Sequence, residues 1–365
     1  MQRDSPAHER VYEALRASGT QSQPQLAALT GLSLPAVIAA VQRLEASGLV
    51  AFSGERRGIG RPARALTVTP ETNAVLGIDL SGSRVRAALF DLHGARLREL
   101  ETMPLFAFSK LSRGEALKHL KEIVTQFPEA KRIGLCAPGI VTPFDALERS
   151  WIFGLKTLER RDLERSLNRP VILENDARSA AWGELRRGQG TDNFALLIFA
   201  FGIGAGIVSG GRLLRGSRGA AGELSYLPPQ IVGFTENPRM GALAYSFFET
   251  LRAVSPDPTA PNWEAEIFRA AAKGQKKAKK AVERAVQHLA LAVAGIIAVM
   301  DPERIVLREE FPHTQELVLE PLRQMLEAIG LSAPLAVSSL GRDAGLIGIA
   351  LLSAEHLERE LLEGS

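Results

Sequence analysis

The stretch AVLGIDLSGSRVRAALF at residues 74–90 decides the fold of most of this chain. Its apolar runs at 74–80 and 85–90 flank the small residues SGS, and this pattern predicts two buried strands joined by a turn. Asp79 lies at the end of the first run. An acid in that place commonly holds a phosphate or Mg²⁺, and buried acids also cap turns. The stretch therefore predicts an α/β domain with a candidate site at the end of its first strand.

Two later predicted strands also end in residues that suit ligand contact. The strand at 133–135 leads into Ala137-Pro138-Gly139. The strand at 170–173 leads into Glu174-Asn175-Asp176-Ala177, where a helix at 177–187 begins. Open α/β sheets build their sites where strand ends meet helix N-termini. The glycine, asparagine and aspartate of these two segments are therefore candidate ligand-binding residues.

A glycine-rich region follows the next predicted strand, at 195–201. It contains GIGAG at 202–206 and the segment 216–222, which is followed by Glu223. These glycines would form a hairpin that lets backbone amides approach a ligand closely. Tight packing within the sheet explains each glycine equally well.

The N-terminal residues predict a separate module. Helical patterns at 6–18 and 23–30 precede a third helix that Ser33 would cap, and short strands at 49–52 and 65–68 follow around the loop SGERRGIGRPAR. The second helix, a tight turn and the third helix have helix-turn-helix spacing, and the two strands are typical of its winged variant. We therefore expect a winged helix-turn-helix DNA-binding domain in residues 1–70. The alternative is a three-helix scaffold that binds another protein.

The outer face of the third helix carries few groups that read bases. Val37, Ile38, Val41 and Leu44 are expected to form its buried stripe. Its small residues, including Ala40, are expected to be partly exposed, and they suit thymine methyl groups better than bidentate hydrogen bonds. The candidate DNA contacts on this helix are Ser33, Pro35, Ala36, Ala39, Gln42 and Arg43.

The net positive charge of the chain is concentrated in the same module. Residues 1–70 hold eight arginines and five acids, which is the whole formal excess of +3 in 365 residues. In the loop between the two strands, glycine allows close backbone approach, proline keeps the segment extended, and arginine suits a narrow minor groove. We therefore predict binding to double-stranded DNA at an AT-rich operator, with contacts from Arg56, Arg57, Gly60, Arg61, Pro62 and Arg64.

Taken in order, the motifs of the chain resemble the ROK family, which groups bacterial sugar kinases with sugar-responsive repressors. They are GIDLSGS at 77–83, APG at 137–139, ENDA at 174–177, GIGAG at 202–206, AGE at 221–223, DPERIVL at 301–307 and GRDAG at 341–345. The resemblance covers residues 75–353, and the preceding module resembles that of the repressor branch. It implies a two-lobed, actin-like (ribonuclease H-like) sugar kinase fold.

The same resemblance implies domain limits and site residues. Residues 71–187, completed by 346–365, would form the first lobe, and residues 188–345 the second. Asp176 would match the general base that acts on a sugar hydroxyl, and Asn175 and Glu223 would bind the sugar by hydrogen bonds. Carboxylates accept hydrogen bonds from neighbouring pyranose hydroxyls, which makes these roles chemically reasonable.

The chain departs from the family pattern at three nucleotide contacts. The family has Asp-x-Gly-Gly-Thr at the first phosphate loop, whereas this chain has Ser81 and Ser83 in place of a glycine and the threonine. Phe201 replaces a threonine before the glycine hairpin, and Arg308-Glu309-Glu310 replaces Gly-Gly after Val-Leu. At the last of these contacts, bulky charged side chains replace backbone that would approach the nucleotide. The three changes together predict that the chain does not use ATP and that Asp176 is a vestigial base.

The zinc ligands of the family are also replaced. Glu223 is followed by Leu224-Ser225-Tyr226 instead of reaching a histidine, and Cys136 is the one cysteine of the chain. We therefore expect no zinc and no other cofactor. Tyr226 is a candidate ligand contact through its hydroxyl, and its ring would equally well fill the pocket.

We expect a cytoplasmic protein, because a single cysteine in a chain of 365 residues fits a reducing compartment. The longest apolar run, at 289–300, is too short to span a bilayer, the first residues lack the apolar core of a signal peptide, and no membrane contact is expected. A homodimer or higher homo-oligomer is expected because winged-helix repressors usually bind two-fold sites.

We thus interpret the chain as a DNA-binding transcriptional regulator, expected to repress, that responds to a sugar or sugar derivative. One alternative is a ROK-type sugar kinase with an appended DNA-binding domain, which Asp79 and Asp176 favour. Another is a regulator with a collapsed cleft that needs no effector, which the ring of Tyr226 favours. The alternative to sugar binding itself is that Asn175, Asp176 and Glu223 only hold the lobes together through buried hydrogen bonds.

Overall fold

The structure is a computed structural model, and it describes residues 5–55, 64–154, 156–200, 202–228, 241–260 and 262–364. The N-terminal module consists of α1 (Ala7–Ser18), β1 (Gln21–Ser22), α2 (Gln23–Thr30), α3 (Leu34–Ala46), β2 (Val50–Glu55) and β3 (Arg64–Val68). Strand β3 lies between β1 and β2 and is antiparallel to both. This arrangement confirms the predicted winged helix-turn-helix.

Local signals explain where the helices of this module begin and end. The backbone N–H of Ser22 donates to Gln25 Oε1 (2.9 Å) at the start of α2, and Gly31 ends that helix in the left-handed conformation (φ +67°). Ser33 caps α3, as predicted, since its Oγ accepts from the N–H of Ala36 (3.4 Å).

The predicted burial along α3 is wrong at two positions. The buried stripe is formed by Val37, Ala40, Val41 and Leu44, while Ile38 is 38% exposed. Residues three and four apart share a helix face, so Ala40 lies on the buried face with Val37 and Leu44. Ile38 lies at the edge of that face and is partly exposed to solvent.

The first lobe is built on a five-stranded sheet. Its elements are β4 (Ala74–Asp79), β5 (Arg84–Phe90), β6 (Arg96–Pro104), α4 (Leu105–Phe108), α5 (Arg113–Thr125), β7 (Ala130–Ala137), β8 (Ile140–Val141), β9 (Ala146–Glu148), β10 (Leu158–Glu159), α6 (Arg160–Leu167), β11 (Val171–Asn175) and α7 (Asp176–Arg187). The strand order is β11-β7-β4-β5-β6, and β4 and β5 form the predicted hairpin. Strands β4, β7 and β11 are parallel, which brings the ends of β7 and β11 to one edge of the sheet.

The second lobe repeats this topology. Its elements are β12 (Phe194–Ile198), β13 (Gly204–Ser209), β14 (Arg212–Leu213), α8 (Ala242–Arg252), α9 (Trp263–Ala272), α10 (Lys276–Met300), β15 (Arg304–Leu307), α11 (Glu320–Ala328) and β16 (Leu335–Val337). The sheet order is β14-β13-β12-β15-β16, again with antiparallel neighbours on one side of the first strand and parallel neighbours on the other. Two lobes of one topology confirm the sugar-kinase-like body that the family resemblance implies.

Two helical regions of the second lobe differ from what their sequence patterns alone predict. The pattern at 312–329 predicts one helix, but a π-helical turn at Gln315–Leu319 precedes α11. Pro321 lacks the N–H that a continuous α-helix needs there, which accounts for the widened turn. Helix α10 has the length and apolar character of a membrane-crossing helix, but its buried face packs into the hydrophobic core of this lobe.

The last helix, α12 (Ala344–Glu363), returns to the first lobe. It packs against α7, β4 and β7, and small residues permit the close approach: a Cβ added at Gly348 would lie 1.7 Å from the carbonyl oxygen of Ser179. Its other side joins the hydrophobic cluster of the N-terminal module, where Leu357 packs with Tyr12 and Leu15 among others. Helix α12 therefore contacts both the first lobe and the DNA-binding module.

Candidate ligand cleft and DNA-binding surface

A cleft opens between the two lobes where β7 and β11 end. The five ligand residues predicted from the sequence, Gly139, Asn175, Asp176, Glu223 and Tyr226, all line it. Its volume of about 90 Å³ is several times the roughly 10–15 Å³ that one water molecule requires. The fold therefore brings together side chains from distant parts of the chain around a space that can hold a polar ligand.

Asn175 holds the local structure at the end of β11. Its Nδ2 donates to the carbonyl of Gly139 (2.9 Å) and to Asp176 Oδ1 (3.1 Å), and its Oδ1 accepts from the N–H of Arg178 (3.0 Å), capping α7. Asp176 Oδ1 also accepts from the N–H of Ala177 (2.9 Å), whereas Asp176 Oδ2 makes no hydrogen bond to any described residue. One carboxylate oxygen thus remains available to a ligand hydroxyl.

The two carboxyl groups of the cleft are both unusually weak acids. Burial raises the pKa of Asp176 to about 6, although the nearby Arg308 lowers it, and Asp79 raises it further. Burial and the charge of Asp176 raise the pKa of Glu223 to about 7, against the opposing effect of Arg178 and Arg149. Near neutral pH, this pair can accept hydrogen bonds in the ionised form and donate them in the protonated form.

The glycine-rich region serves packing at two of its positions. A Cβ added at Gly206 would lie 2.2 Å from the carbonyl oxygen of Ala177, and one at Gly222, whose φ is +85°, would lie 1.9 Å from the carbonyl oxygen of Ala205. Gly204 lines the cleft, and its nearest neighbour would be a methyl group at 3.8 Å. The packing explanation therefore accounts for Gly206 and Gly222, and Gly204 remains a candidate for backbone contact with a ligand.

Two of the departures from the family pattern contact each other across the cleft. Arg308 follows β15 and is 2% exposed; its Nη1 donates to Ser81 Oγ (3.1 Å), and its Nε donates to Glu310. The N–H of Ser81 donates in turn to Asp79 Oδ1 (2.8 Å), which also accepts from the thiol of Cys136 (3.3 Å). A buried cation and its carboxylate partner therefore connect the second lobe to the turn after β4.

A second buried ion pair, which sequence reasoning missed, also connects the lobes. Glu174 pairs with Arg178 Nε (2.7 Å) and with Arg215 Nη2 (2.8 Å). Arg178 Nη1 donates to the carbonyl of Gly219 (2.6 Å). The spacing of four residues between Glu174 and Arg178 is the signal that could have indicated this pair.

The segment after Glu223 forms a short 3₁₀-helix, Leu224–Tyr226. Ser225 Oγ bonds to both backbone groups of Ile203, and the ring of Tyr226 forms part of the cleft wall, 5.6 Å from the guanidinium carbon of Arg149. Within the described ranges, no three His, Cys, Asp or Glu side chains are grouped so that they could hold a metal ion. No sequence pattern indicates that Arg149 would lie in this wall.

The DNA contacts predicted on α3 lie mostly on its outer face. Ser33, Pro35, Ala39 and Gln42 are exposed, and Ala36 is half-buried. The exposed side chains of Leu34 and Ile38 make this face more apolar than expected. Arg64 is the first residue of β3, while Arg56, Arg57, Gly60, Arg61 and Pro62 lie outside the described residues.

Arg43 contacts the C-terminal helix. Its Nη2 donates to the carbonyls of Leu362 (3.2 Å) and Glu363 (3.3 Å), which are among the last carbonyls of α12. It therefore connects the recognition helix to the body of the protein, and its assignment as a DNA contact stays a prediction.

Three further contacts fix the N-terminal module to α12. The hydroxyl of Tyr12 donates to Glu358 Oε1 (2.6 Å), Arg16 forms an ion pair with Glu358 (3.0 Å), and His8 Nε2 lies 2.9 Å from the carbonyl oxygen of Leu362. At the opposite end of the helix, Gly345 lies against Asp79. One helix therefore runs from Asp79, close to the cleft residue Ser81, to the DNA-binding module.

Comparisons with known proteins agree with this architecture. The ROK family model matches residues 75–356, and a model described as winged helix-turn-helix DNA-binding matches residues 5–51. The xylose repressor of Bacillus subtilis is 22% identical over 356 residues, covering 92% of this chain and 91% of the repressor. The bifunctional enzyme NanE/NanK of Brucella melitensis is 36% identical over 200 residues, which are 54% of this chain and only 38% of that enzyme.

Solved structures share the fold. A ROK family transcriptional regulator, a homologue of the E. coli MLC protein, superposes with a TM-score of 0.74 at 21% identity and covers 98% of both chains. The ROK hexokinase of Thermus thermophilus has a TM-score of 0.62 at 29% identity, covering 78% of this chain and 99% of the hexokinase. Since the family model matches most of its length and this two-lobed body recurs in those structures, the protein belongs to the ROK family and carries a winged helix-turn-helix module before the family's body.

Proposed function

We propose that this protein is a DNA-binding transcriptional repressor whose interlobe cleft binds a sugar or sugar derivative and which does not use ATP. The observation that carries the proposal is the combination of an exposed recognition helix with a ROK body in one chain. The match to the xylose repressor covers 92% of this chain and 91% of the repressor, so it includes both parts. Binding as a homodimer to an AT-rich operator in the cytoplasm remains part of the proposal.

The residues of the cleft support a polyhydroxylated ligand. Asp176 has a free carboxylate oxygen, and the side chain of Glu223 makes no hydrogen bond to the described residues, so both can take ligand hydroxyls. Asn175 acts mainly as a positioning residue, because three of its contacts go to the protein itself. The collapsed-cleft alternative is less favoured, because Asp176 and Glu223 line open space and neither forms an ion pair with a described residue of the opposite lobe.

The absence of ATP use is supported by the buried bridge between the lobes. Arg308 and Glu310 occupy the region where family members have glycines beside the nucleotide, and Arg308 bonds to Ser81 at the first phosphate loop. A nucleotide placed there would have to break the hydrogen bond between Arg308 and Ser81 and separate Arg308 from Glu310. The kinase alternative keeps one specific observation in its favour, which is that Asp79 and Asp176 are both retained near that cation.

Helix α12 provides a route from ligand to DNA. Its 20 residues span about 30 Å, from Gly345 beside Asp79 to Glu358 and Leu362 beneath the N-terminal module. A ligand that prefers one arrangement of the lobes would shift this helix and the module docked on it. Regulation then follows from a change in the relative position of the two DNA modules of a dimer.

A mobility-shift experiment on the gene's own upstream region tests the DNA part. We expect binding that weakens steeply between about 50 mM and about 200 mM salt, because several phosphate contacts are lost together. Arg61→Ala should reduce both affinity and AT preference, while Arg161→Ala, an exposed arginine of the first lobe, should not. Indifference to every upstream fragment would overturn the proposal.

A coupled ATPase assay over a panel of hexoses tests the second part. We expect no hexose-dependent hydrolysis above that of the Asp176→Asn variant, which lacks the general base. Turnover that Asp176→Asn abolishes would instead establish the sugar kinase alternative.

A further inference from the structure

Arg149 is a cation in the wall of the cleft, and its charge lowers the pKa of Glu223 without a direct ion pair between the two side chains. Its side chain is exposed, it lines the cleft with Asp176 and Glu223, and it forms no ion pair or hydrogen bond with the residues that the structure describes. Its guanidinium lies over the ring of Tyr226, 5.6 Å from the centroid, which orients the charge along the cleft wall.

The other arginines near the cleft are compensated. Arg308 pairs with Glu310, and Arg178 pairs with Glu174, each in a buried ion pair with further hydrogen bonds. These two cations therefore have structural roles that leave no charge for a ligand. Among the described residues around the cleft, Arg149 differs from them in keeping its donors available.

Arg149 has a strained backbone conformation. Its φ is +53°, in the left-handed region that side chains other than glycine rarely adopt. The neighbouring residues are clamped against Gly139, where an added Cβ would lie 2.8 Å from the carbonyl oxygen of Glu148 and 3.1 Å from Ser150 Cα. A strained residue that is held rigidly at a cleft wall is a common feature of binding sites.

We propose that the cleft is selective for an anionic sugar, either carboxylated or phosphorylated, whose anionic group pairs with Arg149 while its hydroxyls face Asp176 and Glu223. This inference rests on the proposed function, because it names the chemical class of ligand for the same cleft. A neutral sugar would use only the carboxyl groups and leave the guanidinium to water. The planar, five-donor guanidinium matches carboxylate and phosphate oxygens equally well. The geometry therefore indicates an anionic group on the ligand, and the experiment below distinguishes a carboxylate from a phosphate.

Calorimetric titration with matched sets of sugars tests the proposal. Glucose, galactose and mannose are each compared with their uronates and their 6-phosphates, using the wild-type chain, Arg149→Gln, Arg149→Lys and the exposed control Arg161→Gln. We expect at least one anionic sugar to bind about tenfold more tightly than its neutral parent. Arg149→Gln should remove that preference by weakening the binding of the anionic sugar about tenfold more than that of its neutral parent, Arg149→Lys should keep part of the preference, and the control should match wild type. The uronate and phosphate arms show which anion is recognised.

Three outcomes would overturn this inference. A neutral sugar that binds as tightly as its anionic derivatives would refute it while leaving the proposed sugar site intact. An equal loss of affinity for neutral and anionic sugars in Arg149→Gln would show that Arg149 acts only through hydrogen bonds or packing. If no member of any set binds, the cleft is not a sugar site, and the effector part of the proposed function fails as well, whereas the mobility shift still tests DNA binding separately.

Discussion

The carboxyl group of Glu223 should make the protein less stable as the pH rises, and Glu223→Gln should remove this effect. Glu223 lies in the cleft near Asp176, and burial raises its pKa from the ordinary 4.5 to about 7. Between these two values, the folded chain retains a proton that the unfolded chain has lost. The folded state therefore binds more protons in this interval, and the free energy of unfolding falls as the pH rises through it.

The size of the effect follows from the same two values. At about 1.4 kcal/mol per pH unit, the interval from 4.5 to about 7 corresponds to about 3 kcal/mol. The full amount should be lost between about pH 4, where both states are protonated, and about pH 8, where both are ionised. Glutamine has nearly the same shape and no charge to desolvate. Glu223→Gln should therefore be more stable than wild type by about 3 kcal/mol at the higher pH and nearly equal to it at the lower pH.

Urea unfolding followed by tryptophan fluorescence at a series of pH values measures this difference. Glu309→Gln is a suitable control, because Glu309 is an exposed carboxyl whose replacement should change stability by less than about 0.5 kcal/mol. A difference between wild type and Glu223→Gln that stays constant across the pH range would refute the reasoning, since it would show that the carboxyl ionises alike in both states.

Other variants test the remaining contacts. Tyr12→Phe removes a hydrogen bond to a carboxylate and should weaken the docking of the N-terminal module by about 2 kcal/mol, seen as faster amide exchange in α1; unchanged exchange would contradict this. Glu310→Gln leaves a buried guanidinium without its partner and should destabilise the fold by about 3–5 kcal/mol in urea, and equality with Glu309→Gln would argue against a buried pair. Gly348→Ala should destabilise severely because its Cβ would collide with backbone, whereas Gly295→Ala, in open space on α10, should stabilise by about 0.5–1 kcal/mol; similar melting temperatures for the two would be inconsistent with the packing of α12.

Much of the fold could be predicted because its local signals are strong. The hairpin of β4 and β5 follows from two apolar runs around a small turn, and α2 forms over the predicted residues because a capping box and a glycine mark its ends. The exchange of Ile38 and Ala40 on α3 shows the limit of such patterns. Both lie near the edge of the helix face, where packing against α1 decides which one is buried.

The ligand residues could be predicted because they follow strand ends, but their partners could not. The contact between Arg308 and Ser81 joins residues 227 positions apart, and no local pattern predicts such a pairing. Arg149 was missed for a related reason, since it lies in an irregular segment whose position depends on its packing against Gly139. Charged residues in loops are usually solvated, so only the three-dimensional arrangement shows that this one faces the cleft.

Helix α12 has a consequence for how the protein is made. The N-terminal module is synthesised before α12, so the apolar surface of the module that Leu357 and its neighbours cover stays open until that helix has been made. A chain that terminates before residue 344 would carry a helix-turn-helix with that surface bare and without the helix that connects it to the residues beside Asp79. In the proposed regulator, α12 must therefore be made and docked before a ligand in the cleft can influence DNA binding through it.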